Sequence, residues 1–132
     1  MSVANDVTGK VYRHGTAAFM ARLVTSSGQI INQVSISALE YTVYELTMDD
    51  PSGLIPVTGH SGVSLTISEV IFDTLQDDDA WTIDSVGYNF RHELDVSSNE
   101  AFTEAGKVYQ VRYELTPVTG QKIVFRFQLR CI

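Results

Sequence analysis

The chain has a single cysteine, Cys131, so no disulfide can close within it. Nor does it carry the paired Cys or His spacing of a zinc site, because His14, His60 and His92 stand isolated from one another in sequence. No apolar run approaches the roughly 20 residues of a membrane-spanning helix, and residues 1–15 lack the charged start and apolar stretch of a secretory signal. The expectation is a soluble, unprocessed chain with no metal and no cofactor. Basic residues are scarce too. With 9 Lys and Arg against 16 Asp and Glu, the net charge of −7 disfavours nucleic-acid binding through a generally basic surface.

What is present is enough for one core. At 132 residues and 44% apolar composition, with 6 Tyr, 6 Phe and 1 Trp, the chain fits one folded domain and leaves no room for a second. Its charges are unevenly placed. Residues 68–104 hold ten acids against Arg91 (1 − 10 = −9), whereas residues 105–132 hold five basic residues against Glu114 (5 − 1 = +4). These segments either face each other inside the domain or give it two ends of opposite sign, which suits head-to-tail contact with copies or partners.

The clearest pattern is the carboxy-terminal quarter. Tyr109, Val111, Tyr113 and Leu115 alternate with Gln110, Arg112 and Glu114; after a turn at Thr119-Gly120, Ile123, Phe125, Phe127, Leu129 and Cys131 alternate with Val124, Arg126, Gln128 and Arg130. Period two in β-branched and aromatic residues predicts two half-buried antiparallel strands, with Cys131 inward as a small buried hydrophobe. The same reasoning places strands over residues 16–24, with Phe19 and Leu23 inward, over 36–46, with Leu39, Tyr41 and Val43 inward, and over 88–96. Shorter ones are expected at 54–58 and 63–67. Residues 68–76 read as the one short helix, capped by Ser68, with Val70, Ile71 and Leu75 as its apolar side. Residues 1–15 are polar and aperiodic and predict an amino-terminal arm, ahead of a single domain over 16–132. Short strands about every ten residues, with at most one short helix, predict an all-β fold: an immunoglobulin-like antiparallel β-sandwich of about seven strands. Phe102, Gly106 and Tyr109 are arranged like a tyrosine corner, in which a Tyr hydroxyl bonds upstream backbone where the chain crosses between sheets.

No reactive centre is legible, and the chain is expected not to be an enzyme. Gly59-His60-Ser61-Gly62 approaches a nucleophile elbow, but its second glycine arrives one residue early and its surroundings are strand and turn. Asp77-Asp78-Asp79 lacks the alternating ligands of a calcium loop. The aromatic residues Tyr44, Trp81, Tyr88 and Phe90 offer either a carbohydrate platform or core packing. The candidate partner-binding residues are Arg112, Arg126 and Arg130 on the outward face of the hairpin, suited to an acidic or glycan partner, and Lys10, Tyr12 and Arg13 in the arm.

The stretches Gly15-Thr-Ala-Ala-Phe-Met-Ala-Arg22, Tyr41-Thr-Val-Tyr44, Val70-Ile-Phe-Asp-Thr-Leu75, Gly87-Tyr-Asn-Phe90 and Tyr109-x-Val-x-Tyr113 with Leu115-Thr-Pro117 resemble small immunoglobulin-like β-sandwich structural proteins of tailed bacteriophages and prophages. The resemblance implies a virion protein, made in the host cytoplasm, that acts without catalysis through contacts with other virion proteins. Capsid decoration or cement is the first such role. A neck, tail or baseplate module and a carbohydrate- or receptor-binding sandwich are the alternatives. It also implies a homo-oligomer or many copies on one particle, with no nucleic-acid or membrane partner.

Overall fold

In the computed structural model, residues 7–25, 27–46, 53–78, 81 and 84–132 are described. They form an all-β sandwich of two sheets. The elements are β1 (Val7–Val11), β2 (Ala18–Ala21), a 3-10 turn (Gln33–Ser35), β3 (Ile36–Leu46), β4 (Leu54–Pro56), β5 (Val63–Ser64), α1 (Ile67–Val70), β6 (Ile71–Gln76), β7 (Tyr88–Glu93), β8 (Val108–Pro117) and β9 (Ile123–Cys131). The larger sheet runs β1-β9-β8-β3-β4, with β5 also on β3; the smaller runs β2-β7-β6.

The predicted hairpin is the centre of the larger sheet. Tyr113 pairs with Phe125, Val111 with Phe127 and Tyr109 with Leu129, while β8 pairs on its other side with β3, placing Tyr41 opposite Tyr113 and Val43 opposite Val111. Period two then sends all of these side chains to one face, against the smaller sheet. There Phe19 and Phe90 complete an aromatic cluster. Phe90 meets Tyr113 and Phe125 edge-on at 4.9 and 5.0 Å between ring centroids, and Tyr113 stacks on Phe125. Offset and edge-on rings satisfy the quadrupole while burying large apolar area. Tyr113, Phe90, Phe102, Val43, Val111 and Cys131 are almost completely buried, and burial pushes the Cys131 thiol pKa up.

Two expectations are corrected. The helix foreseen over residues 68–76 is one turn, Ile67–Val70, preceded by Thr66 without a side-chain cap; Ile71–Gln76 is a strand whose Ile71 pairs with Phe90. The spacing of Val70, Ile71 and Leu75 fits a helical face, but β-branched Ile71 gains more from a ladder in the core. Second, part of the arm belongs to the fold, because Val7–Val11 runs beside β9, Lys10 opposite Arg130 and Val11 opposite Cys131. Residues 1–6 of that arm lie outside the described ones. The β1–β9 pair of this all-β sandwich is parallel, and the strands among the described residues number nine, of which β4 and β5 have three residues and two.

The turn into β8 has the hydrogen bond of a tyrosine corner. The Tyr109 hydroxyl accepts the backbone N–H of Glu104 at 3.2 Å, with Phe102 packed edge-on against the Tyr109 ring. Residues 94–107 thereby carry the chain from the smaller sheet to the larger.

Candidate functional site

The two buried histidines come first, because polar groups in a core need a reason to be there. His92 follows Tyr88 and Phe90 inward along β7, and its Nδ1 lies 2.8 Å from the Tyr113 hydroxyl. His60, 2% exposed, places Nδ1 2.8 Å from the Tyr41 hydroxyl and Nε2 2.8 Å from the Asn99 carbonyl oxygen. The Tyr41 ring lies between the two imidazoles, at 5.0 Å from His92 and 6.0 Å from His60. Burial, with His60 nearby, lowers the His92 pKa to about 4; burial raises those of both tyrosines. His92 is therefore neutral at pH 7, and each hydroxyl has an imidazole partner. The cluster bonds the two sheets together from inside, and the neighbour of Ser61 in the Gly-His-Ser-Gly turn is committed to it.

The acidic segment serves its own loops in a similar way. Asp84 accepts from Trp81 Nε1 at 2.9 Å and from the N–H groups of Val86 and Gly87, and pairs with Arg22 at 2.8 Å; these bonds, the Trp81 one foremost, hold its carboxyl well below the usual range. Asp78 accepts the Tyr88 hydroxyl at 2.6 Å, and Asp73 accepts the Gln33 N–H. Asp79 lies outside the described residues. Among the described residues no group of three His, Cys, Asp or Glu side chains could hold a metal ion.

The four candidate platform aromatics do not share a surface. Phe90 is core, Tyr88 is buried beneath Trp81, and Tyr44 lies on the outward face of the other sheet, under the guanidinium of Arg112 at 5.0 Å.

The six candidate contact residues all belong to the larger sheet or its margin. Strand register orders its outward face into rows. Glu40 and Glu114 face each other across β3 and β8; next come Thr42, Arg112 and Arg126; then Tyr44, Gln110 and Gln128; then Val108, Arg130 and Lys10. Lys10 and Arg130 are opposed and exposed, and beside them the chain continues into exposed Arg13 and Tyr12, which is 75% exposed. The Arg13 N–H donates to the carbonyl of Ile132, fixing this corner to the end of β9. Lys10, Tyr12, Arg13 and Arg130 thus make one basic corner with an exposed aromatic. Farther up the same face, Arg112 and Arg126 oppose each other directly. Arg112 donates from Nη2 to Gln110 Oε1 at 3.0 Å, while its buried Nε has no hydrogen-bond partner.

A concavity of about 430 Å³ opens at the end of the sandwich, lined by Val24, Ile31, Leu115, Pro117, Val118 and Ile123 among others. Among the described residues no helix is long and apolar enough to cross a membrane. Compared with protein-family models, with curated proteins and with solved structures, the chain finds no match in any of the three.

Proposed function

We propose that this protein is a non-enzymatic structural component of a tailed-bacteriophage virion, working through protein–protein contacts as a capsid decoration or cement subunit, with the neck, tail or baseplate as the alternative position. The observation that carries this reading is the basic corner formed by Lys10, Tyr12, Arg13 and Arg130 on the larger sheet. Tyr and Arg are the residues that concentrate binding energy at protein interfaces, and an acidic domain that sets three of its nine Lys and Arg residues beside an exposed Tyr has a defined place to meet an acidic partner. The virion setting comes from the resemblance of the strand sequences to phage sandwich proteins. The buried histidines and tyrosines support a structural role, since their hydrogen-bonding capacity is spent on holding the sheets together.

Co-sedimentation with purified particles lacking this protein tests the reading. Wild-type protein should pellet with particles, and K10E/R130E, which alters exposed side chains only, should remain in the supernatant. Deleting residues 2–13 would be a poorer test because it removes β1. Failure of the wild type to pellet, or equal pelleting by K10E/R130E, would overturn the assignment.

A further inference from the structure

The like-charge pairs on the outward face of the larger sheet are an unusual arrangement. Like charges directly opposite on neighbouring strands are destabilising, and this face has two such pairs in adjacent rows: Glu40 with Glu114, and Arg112 with Arg126. Each has a visible cost. The hydrogen bond with Glu114 raises the Glu40 carboxyl pKa above its ordinary value, with burial and the Glu114 charge adding to it. In the next row, Arg112 keeps a buried Nε without a partner.

A second copy sets opposite charge against each row. Rotating the sheet by half a turn about an axis lying in the face, across the strands and between these two rows, exchanges the rows. The acidic row of one copy then lies over the basic row of the other, and reciprocally, as a two-fold contact requires. We infer that the outward face of the larger sheet is a two-fold interface between copies of this chain, with Arg112 of each copy opposite Glu114 of the other. The contact deepens the proposed assembly role and rests on it only in taking the same sheet face as the working surface, since the Lys10–Arg130 corner lies two rows farther along the strands, at the edge of the contact.

The face suits a modest association. Three strands, β3, β8 and β9, at about 4.8 Å each, by the length of β8 at about 3.3 Å per residue, give a footprint of roughly 480 Å² per copy, in the range of weak and transient contacts. Its centre supplies Tyr44, Val124 and the amides of Gln110 and Gln128 around the charged rows. An association this small and this charged weakens with added salt.

Sedimentation equilibrium over about 10 to 500 µM, the range such an interface calls for, tests this with charge reversals. Wild type should be a monomer–dimer mixture. R112E and E114R should each weaken dimerisation at least tenfold, because each introduces two repulsive contacts. Mixing R112E with E114R should produce a heterodimer, and the double swap R112E/E114R should dimerise alone. Since the mixture contains the same folded molecules that fail separately, misfolding cannot mimic rescue. A wild type monomeric throughout, single variants that dimerise like wild type, or a mixture that stays monomeric would overturn the interface. None of those outcomes touches particle binding through Lys10 and Arg130, and loss of particle binding by K10E/R130E with dimerisation intact leaves the interface standing.

Discussion

Mild acid should destabilise this domain through His92. The imidazole is 9% exposed, bonded to the Tyr113 hydroxyl and packed against Tyr41, and burial first, then proximity of His60, lowers its pKa to about 4 from the ordinary 6.5. In the unfolded chain the same ring takes up a proton near its ordinary value. Between these two values the unfolded state binds a proton that the folded state refuses, so stability falls as pH drops from 6.5 towards 4, and the loss is complete below the folded value. From about pH 7 to about pH 4.5, linkage gives a loss of about 2 kcal/mol from this one group. Urea denaturation, followed by Trp81 fluorescence at both pH values, measures it in wild type and in His92→Leu. The variant leaves the buried Tyr113 hydroxyl without its partner, at a cost of about 1–3 kcal/mol at neutral pH. It should nevertheless lose about 2 kcal/mol less than wild type on acidification. Asp84 and Asp95, both held below the ordinary carboxylate pKa, destabilise only at lower pH and do so equally in the two proteins. Equal acid losses in wild type and His92→Leu would refute the reasoning.

Three further outcomes follow from single contacts. Tyr109→Phe removes the acceptor for the Glu104 N–H and should cost about 1 kcal/mol in urea denaturation. Asn89→Ala should cost at least about 3 kcal/mol and speed hydrogen exchange at the Leu23 amide, because the completely buried Asn89 side chain accepts from the Leu23 N–H and donates to the carbonyls of Leu23 and Ile31. Gly87→Ala should lower the melting temperature, with a cost above about 1 kcal/mol: φ is +108° there, and a Cβ would sit 2.5 Å from the Gln76 carbonyl oxygen.

Where alternation runs long, the fold is legible from residue types alone. β3 spans the expected 36–46, β9 spans the foreseen 123–131, and β8 runs one residue before and two beyond the foreseen 109–115. Legibility fails where a strand is specified by its neighbours. β1 contains Gly9 and Lys10 and has no apolar period of its own; it is a strand because the edge of β9 offers backbone groups to pair, and Gly9 leaves room for Leu129, which a Cβ would approach to 3.2 Å. Residues 70–76 fail for the opposite reason, since their apolar spacing satisfies a short helix as well as it satisfies a strand. Pairing of Ile71 with Phe90 decides between them, and no local window contains that partner.

The candidate surface divides the same way. Alternation alone puts Arg112, Arg126 and Arg130 outward, and His92 shares the inward phase of Tyr88 and Phe90, so its burial was readable from β7. Rows, however, are products of register. Charge counted along the chain separates an acidic stretch ending at residue 104 from a basic one after it, yet Glu114, inside the basic stretch, meets Glu40 from a strand 74 positions earlier (114 − 40 = 74). A one-residue slip of β3 on β8 would send one of the two glutamates into the core; a two-residue slip would set Glu40 against Arg112 and neutralise the face. The second slip is electrostatically attractive but breaks the packing of the tilted Tyr41 and Tyr113 rings and the hydroxyl–imidazole bonds beside them. The buried aromatic and histidine pairs therefore set the register, and like-charge rows on the outward face are its consequence. That makes a complementary surface, placed against those rows, the means by which the cost is recovered.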